Sequence, residues 1–309
     1  MKVRAIFVSL LAVLIILSSR SAACEASNDV PDAQVRIAVR NIEKIDLSES
    51  TFRIDFYLII EANLGELSLD EVRQFEFVNG EPAIRVIEEN IGESHVELGY
   101  RVKGDFIADY SLGMYPFDRH KISVIMEFLT ADAGRTFEAL AIEFGDITVV
   151  GWENEGIDFQ YVEHRYFEDQ PPVPRFILSA YIRRPLMSTI LKNVLPIAVI
   201  SCIALLTFMI SVKDPSQRIG LGVSTLLSAT AFHLSLLGNI PPTGAFTVAD
   251  GIMLSVYLLH FYSLLVSVYL MRLMDRNEET RAELVNRRAI LVLPLIVVIP
   301  IIMAFLFNR

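Results

Sequence analysis

Cysteine is nearly absent from this sequence of 309 residues: there are two, Cys24 and Cys202, in unlike surroundings. That excludes a disulfide framework and a cysteine-based zinc site. Tryptophan occurs once, at Trp152, and the five histidines are scattered. No Ser-His-Asp order, paired-carboxylate pocket, phosphate loop or cluster of metal ligands is present, so no catalytic residue, metal or cofactor is expected, and no enzyme. Basic residues are scarce as well, 27 against 37 acidic. A nucleic-acid partner, which needs a basic face to displace counterions, is excluded with them.

What is plentiful is apolar. The hydrophobic fraction is 53%, against about 45–50% in soluble domains, and it is unevenly spread. Residues 24–184 hold 31 acidic and 15 basic side chains, a net charge of −16, whereas residues 185–309 hold 6 and 9, a net of +3. One part is an acidic, water-facing domain and the other is nearly uncharged. Residues 1–23 read as an export signal: Lys2 and Arg4 precede an apolar run from Ala5 to Leu17, and Ser21-Ala22-Ala23 supplies small residues. The run is short for a membrane span, which needs about 20 apolar residues. An uncleaved anchor and a lipid-modified Cys24 are the alternatives.

Four apolar segments follow, predicting membrane helices at about 188–210, 216–239, 248–274 and 287–307. Lys213 and Arg218 lie between the first two, and Arg272, Arg276, Arg281, Arg287 and Arg288 lie around the third-to-fourth connection. The turn from Asn239 to Thr247 holds no Lys or Arg. Positive charge stays on the cytoplasmic side, so the acidic domain and the C-terminus face outward, as the export signal also requires. The expected location is a plasma membrane, with several passes through the lipid bilayer and the outer domain periplasmic or extracellular. The connection 275–286 is too short and too charged to fold as a domain.

In the outer domain, Val35–Val39, Thr51–Ile60, His95–Val102, Lys121–Phe128 and Phe176–Ile182 alternate or run apolar in the manner of strands, and Asn79-Gly80, Gly134 and Gly156 mark turns. Leu69–Phe75 suggests one helical turn or more. The fold class expected is an α+β membrane protein: an extracellular immunoglobulin-like β-sandwich followed by a four-helix transmembrane bundle.

The second membrane segment carries the most information. Gly220, Ser224, Leu227, Ala231, Leu234 and Gly238 are spaced 4, 3, 4, 3 and 4 residues apart, one continuous helical stripe. Several such helices in a ring would enclose a pore, wet at Gly220 and Ser224 and constricted at Leu227. Small residues for close helix packing satisfy the same spacing.

Tyr115-Pro116-Phe117-Asp118 resembles the aromatic-Pro-aromatic-Asp signature of pentameric ligand-gated ion channels, the Cys-loop receptor superfamily of the nicotinic, glycine and GABA receptors. Arg184, twelve residues before Pro196, is similar to the Arg preceding that family's first membrane helix. The run Gln217–Leu227 resembles its pore helix, with Leu227 at the central gate, and Pro241-Pro242 its proline turn. Ala108 and Ile122 stand where animal members carry the bracketing cysteines, as in the prokaryotic branch. Gly151-Trp152 and the short cytoplasmic connection resemble bacterial proton-gated members. The resemblance spans residues 35–307. It implies a homopentamer passing inorganic ions, in which a small ligand or protons act on the outer domain.

The same resemblance implies that Tyr115, Pro116, Phe117, Asp118, Arg184, Pro241 and Pro242 couple stimulus to pore. Asp118 and Arg184 are opposite charges able to pair where the dielectric is reduced, with Asp46 and Glu49 expected as further partners. Near the expected ligand pocket the aromatics are Phe77, Phe128, Tyr161, Tyr166 and Phe167, the last two in a capping loop at 163–174. An amine cage needs several ring faces around one cation, and these rings suit a sandwich core as well. Protons are the alternative stimulus, given crowded carboxylates and the outer His95, His120 and His164. His233 faces away from the stripe, and His260 lies in the third helix. Selectivity is expected to rest on Asp214, Ser216, Gln217 and Arg218, whose cues oppose one another: no carboxylate at Gln217, an acid at Asp214 and an inward or snorkelling Arg218.

Overall fold

The computed structural model describes residues 31–65, 67–129, 135–142, 147–238, 244 and 246–307. The export segment, Cys24, Pro241 and Pro242 lie outside the described residues. Among the described residues, nine strands build the outer domain: β1 (Ala33–Asp46), β2 (Thr51–Asn63), β3 (Phe75–Phe77), β4 (Ala83–Ile91), β5 (His95–Ile107), β6 (Arg119–Phe128), β7 (Phe137–Ile142), β8 (Glu153–His164) and β9 (Val173–Arg183). One sheet has the order β4-β5-β2-β1-β7 and the other β3-β6-β9-β8. Neighbours are antiparallel except β1 and β7.

The expected alternation is what packs the two sheets together. Phe52, Ile54, Phe56, Leu58 and Ile60 of β2 point inward, as do Ile122, Val124, Met126 and Phe128 of β6 and Phe176, Leu178, Ala180 and Ile182 of β9. Each fully buried side chain of this size contributes about 1.5–3 kcal/mol of transfer free energy. The helical turn α1 (Leu69–Arg73) is held by a capping box between Ser68 and Glu71. The edge strand β4 is exposed throughout and has no inward face, which is why its sequence does not alternate.

Four helices follow: α2 (Leu186–Met209), α3 (Pro215–Leu237), α4 (Val248–Asp275) and α5 (Glu279–Phe307). In α2 one turn widens at Ile190–Val194 ahead of Pro196, and the last turn, Leu206–Met209, tightens. Pro294 and Pro300 sit inside α5 without ending it. Gly251 of α4 permits close approach, since a Cβ there would collide with the Cβ of Ala304. The fourth helix departs from expectation by starting at Glu279 rather than near residue 287. Residues 279–286 contain no helix breaker, Ala282 is buried against the bundle, and Arg281 Nη1 pairs with Glu278 Oε2 at 2.8 Å. Charge therefore lines the first turns of α5 and does not mark a loop.

Candidate functional site

The loop between β5 and β6 meets the membrane helices through the chemistry of a helix start. The first N–H groups of any helix lack intrahelical acceptors. At α4, Val248 N–H donates to Gly113 O at 3.0 Å and Ala249 N–H donates to Tyr115 O at 2.9 Å. Thr247 and Asp250 close a capping box over the same turn. Tyr115 is buried against Phe232 and Leu236 of α3 and Ala249 of α4, and the Tyr115–Pro116 peptide is cis. Phe117 lines a cavity together with Val194 and Ile197 of α2. A single loop from the outer domain is thus bonded to α4 and packed against α3, with Phe117 and α2 lining one cavity.

Asp118 ends that loop and is 1% exposed. Its Oδ1 accepts from Arg184 Nε at 2.6 Å, and its Oδ2 lies 2.6 Å from His120 Nε2. Burial by itself would push the carboxyl up, but the hydrogen bonds and charges of His120 and Arg184 hold it below the usual carboxylate range. The Arg184 guanidinium lies 4.4 Å from the centre of the Trp152 ring and 5.0 Å from that of Tyr115. His120, packed edge-on against Tyr110 and Trp152, was not among the expected coupling residues. Its place two residues beyond Asp118 on a strand, hence on the same face, is the signal that would have found it.

The expected partnership of Asp46 and Glu49 with this pair is not observed. Asp46 Oδ2 accepts from Lys44 Nζ at 2.6 Å, and its Oδ1 accepts from the backbone N–H groups of Ser48 and Glu49 at 3.1 and 3.2 Å. Local geometry wins because these donors sit within three residues and cost little ordering entropy. Asp46 and Ser48 instead face Arg184 and Lys192 across an open cleft of about 600 Å³ between the sandwich and the tops of α2 and α3.

On α3, the two faces are unlike. Gly222, Thr225, Ala229 and Leu236 are buried against the other helices, whereas Gly220, Ser224, Leu227, Ala231, Leu234 and Gly238 are all exposed. Leu227 is 71% and Leu234 66% exposed within the single chain. The stripe is therefore free of the subunit's own packing. His233 faces away from it, its Nδ1 lying 2.8 Å from the Tyr257 hydroxyl of α4.

The selectivity group divides along the same line. Asp214, Ser216 and Gln217 are exposed at the start of α3. Arg218 is 0% exposed, contrary to the expectation of an inward or snorkelling side chain. Two residues before Gly220, it sits about 200° around the helix from the stripe. There it satisfies one carbonyl at the end of α2 directly and holds the Asn286 side chain of α5, which satisfies another. Nη1 donates to Ile210 O and Nη2 to Asn286 Oδ1, each at 2.8 Å, while Asn286 Nδ2 donates to Phe208 O at 3.0 Å.

Within one chain the aromatics named for a subunit-interface ligand pocket do not converge on one another. Phe128 is in the sandwich core, and Phe77 and Tyr161 pack against it. Rings inside a core give up their faces to neighbouring side chains, as Phe77 does to Phe56 and Phe106. Tyr166 and Phe167 are exposed on the segment between β8 and β9.

Residues 193–300 match the family profile of the neurotransmitter-gated ion-channel transmembrane region. Across 287 residues the chain is 22% identical to a proton-gated ion channel of Gloeobacter violaceus, covering 85% of this chain and 79% of that one. It is 25% identical over 156 residues to neuronal acetylcholine receptor subunit alpha-9-I of Oncorhynchus mykiss, covering 49% of this chain and 27% of the receptor. Subunit alpha-9-II of the same fish is 26% identical over 145 residues, covering 46% and 26%. The chain thus spans about a quarter of either fish subunit. These are channel proteins and not a class of enzymes. With its loop bonded to α4 and packed on α3, and four membrane spans among the described residues, the chain is a ligand-gated ion-channel subunit of the pentameric superfamily, in the prokaryotic form that lacks the bracketing cysteines.

Proposed function

We propose that five copies of this chain close into a homopentameric ring around a pore lined by Gly220, Ser224, Leu227, Ala231, Leu234 and Gly238. The observation that carries this is the contrast between the buried and exposed faces of α3. Leucines alone would suit lipid, but the small and polar Gly220, Ser224, Ala231 and Gly238 on the same exposed stripe have no use there. Facing four copies of itself, the stripe makes a wet cytoplasmic end and a dewetting ring. The exposed Ile84, Val86, Ile87 and Ile91 of β4 support contact between outer domains.

The stimulus is a small ligand or protons, and it reaches the pore through Tyr115–Asp118 and Arg184, with Pro241 and Pro242 following the pore helix. Proton gating is the activity named for the Gloeobacter relative, and the 31 carboxylates of residues 24–184 supply titratable charge. The permeant species are inorganic ions. Discrimination between their signs is weak, because Gln217 is neutral at the narrow end and Arg218 is turned away from it. Asp214, Ser216 and Gln217 remain the candidates that tune it. The channel sits in the bacterial inner membrane, with residues 24–184 and the C-terminus on the periplasmic side.

Recording from purified protein in planar bilayers tests this. Unitary currents should appear on stimulation, with a reversal potential close to zero in a salt gradient, and Gln217→Glu should move it toward cations. Absence of unitary currents under both acid and ligand would refute the pore. A strongly cation-selective wild type, unmoved by Gln217→Glu, would refute the selectivity reading.

A further inference from the structure

The seam by which α5 packs on the bundle carries one polar side chain. Ala282, Ala289, Leu293, Pro300 and Ala304 are its buried residues, and Asn286, four residues after Ala282 and three before Ala289, lies on the same face. Its Nδ2 donates to Phe208 O at the end of α2 at 3.0 Å, and its Oδ1 accepts from Arg218 Nη2 of α3 at 2.8 Å. Only this orientation of the amide serves both, since arginine offers no acceptor and a carbonyl no donor. Three helices meet at one side chain. A second clip, from Lys213 Nζ to Glu279 Oε1 at 2.6 Å, ties the α2–α3 turn to the first turn of α5, but both its side chains are exposed. Exposed pairs hold little, so the tie rests on Asn286.

Arg218 needs that tie more than an ordinary arginine would. It is 0% exposed, and both its partners, Ile210 O and Asn286 Oδ1, are neutral. Among the described residues its Nε–H has no partner. What favours the burial is the end of α2, whose open carbonyls and negative dipole end attract a cation. A buried charge with neutral partners is costly all the same, and removing one of the two leaves it uncompensated. We propose that Asn286 is a positioning residue for ion selectivity: its carboxamide oxygen keeps the Arg218 guanidinium inside the bundle and off the pore mouth. Without Oδ1 only Nη1 is partnered, and the long side chain reaches for water. Side chains on a helix lean toward its N-terminus. Arg218 is the fourth residue of α3, so the lean carries its guanidinium to the exposed Asp214 and Gln217 at the start of that helix. In a ring of five, positive charge then gathers where Gln217 is neutral, and permeation turns toward anions. Only this effect on permeation rests on the channel reading; the hold on Arg218 does not.

The test compares two replacements of Asn286 in the full-length protein. Asn286→Leu offers Arg218 no polar atom, whereas Asn286→Asp keeps the acceptor and loses only the donor to Phe208. A role confined to capping α2 makes both variants fail alike; a hold on Arg218 makes Asp a rescue. In detergent, modification by phenylglyoxal read by mass spectrometry reports exposure of the guanidinium. Arg218 should be protected in wild type and in Asn286→Asp, and modified many-fold faster in Asn286→Leu. Equal rates in wild type and Asn286→Leu, or equal acceleration in both variants, would overturn the hold. This readout needs no current, so it stands whatever recordings show about the pore. In planar bilayers under a salt gradient, Asn286→Leu should raise relative anion permeability several-fold, and Asn286→Asp should not. The double variant Asn286→Leu/Arg218→Met, with no guanidinium to release, should lack the shift. An exposed Arg218 with an unmoved reversal potential, or a shift that persists in the double variant, would refute the role in selectivity. Should Asn286→Leu yield no folded protein, Asn286→Ala removes the same oxygen, and protection of Arg218 in that variant would refute the hold.

Discussion

Arg184→Ala deletes the hydrogen bond from Nε to Asp118 at 2.6 Å and the stacking of the guanidinium on Trp152 and Tyr115. A hydrogen bond to a charged partner contributes about 1.5–3 kcal/mol. Each cation–π contact adds about 0.5–1 kcal/mol at partly exposed sites. With the Arg184 side chain 21% exposed, roughly 2.5–5 kcal/mol is held at the junction. Coupling free energies between distant sites run about 1–3 kcal/mol, a factor of about 5–150 in an equilibrium. Loss of this one cluster is therefore large enough to uncouple stimulus from pore. The hooks from Gly113 and Tyr115 to α4 are backbone bonds and survive the change, so pentamers should still assemble. Size-exclusion with light scattering checks assembly, and macroscopic currents against stimulus strength check response. Arg184→Ala and Asp118→Ala should each assemble and respond weakly, and the reversed pair Asp118→Arg/Arg184→Asp should recover part of the response. Normal responses from both single variants would refute the coupling role.

Two more expectations concern the gate and acid. In the proposed homopentamer Leu227→Ser changes five leucines at once, wets the constriction and should raise spontaneous opening; unaltered currents and sensitivity would remove Leu227 from the gate. Asp118, whose carboxyl is held low, stabilises the fold fully above the unfolded value of about 4 and loses that contribution only as pH falls through its lower folded value. The melting-temperature gap between wild type and Asp118→Asn should hold from about pH 7 to about pH 5 and close in stronger acid; closure within that window would show that mild acid titrates Asp118 itself.

What was legible in the sequence was what repeats locally. The inward residues of β2, β6 and β9 alternate because each strand has one dry face, and the α3 stripe keeps its helical spacing because one face packs and one does not. Edge strand β4 carries no such pattern, since both its faces are exposed. The start of α5 was misjudged because charge at a membrane boundary reads like a loop, while the turn geometry that ends α4 at Asp275 and restarts the helix at Glu279 leaves no mark in composition. Arg218 was placed near the pore by its neighbours in sequence, yet its direction is set by Ile210 and Asn286, which lie 8 and 68 residues away.

Cysteine accessibility along α3 tests the central claim most directly. Because the native Cys202 is exposed, the background is Cys202→Ser. Into it go Ser224→Cys, Leu227→Cys and Ala231→Cys from the stripe, and Thr225→Cys and Ala229→Cys from the buried face. Applied during stimulated currents, a charged methanethiosulfonate should modify the three stripe positions and block or alter the current, leaving Thr225→Cys and Ala229→Cys unchanged. Modification of the two buried-face positions with the stripe silent would contradict a pore lined by Gly220–Gly238.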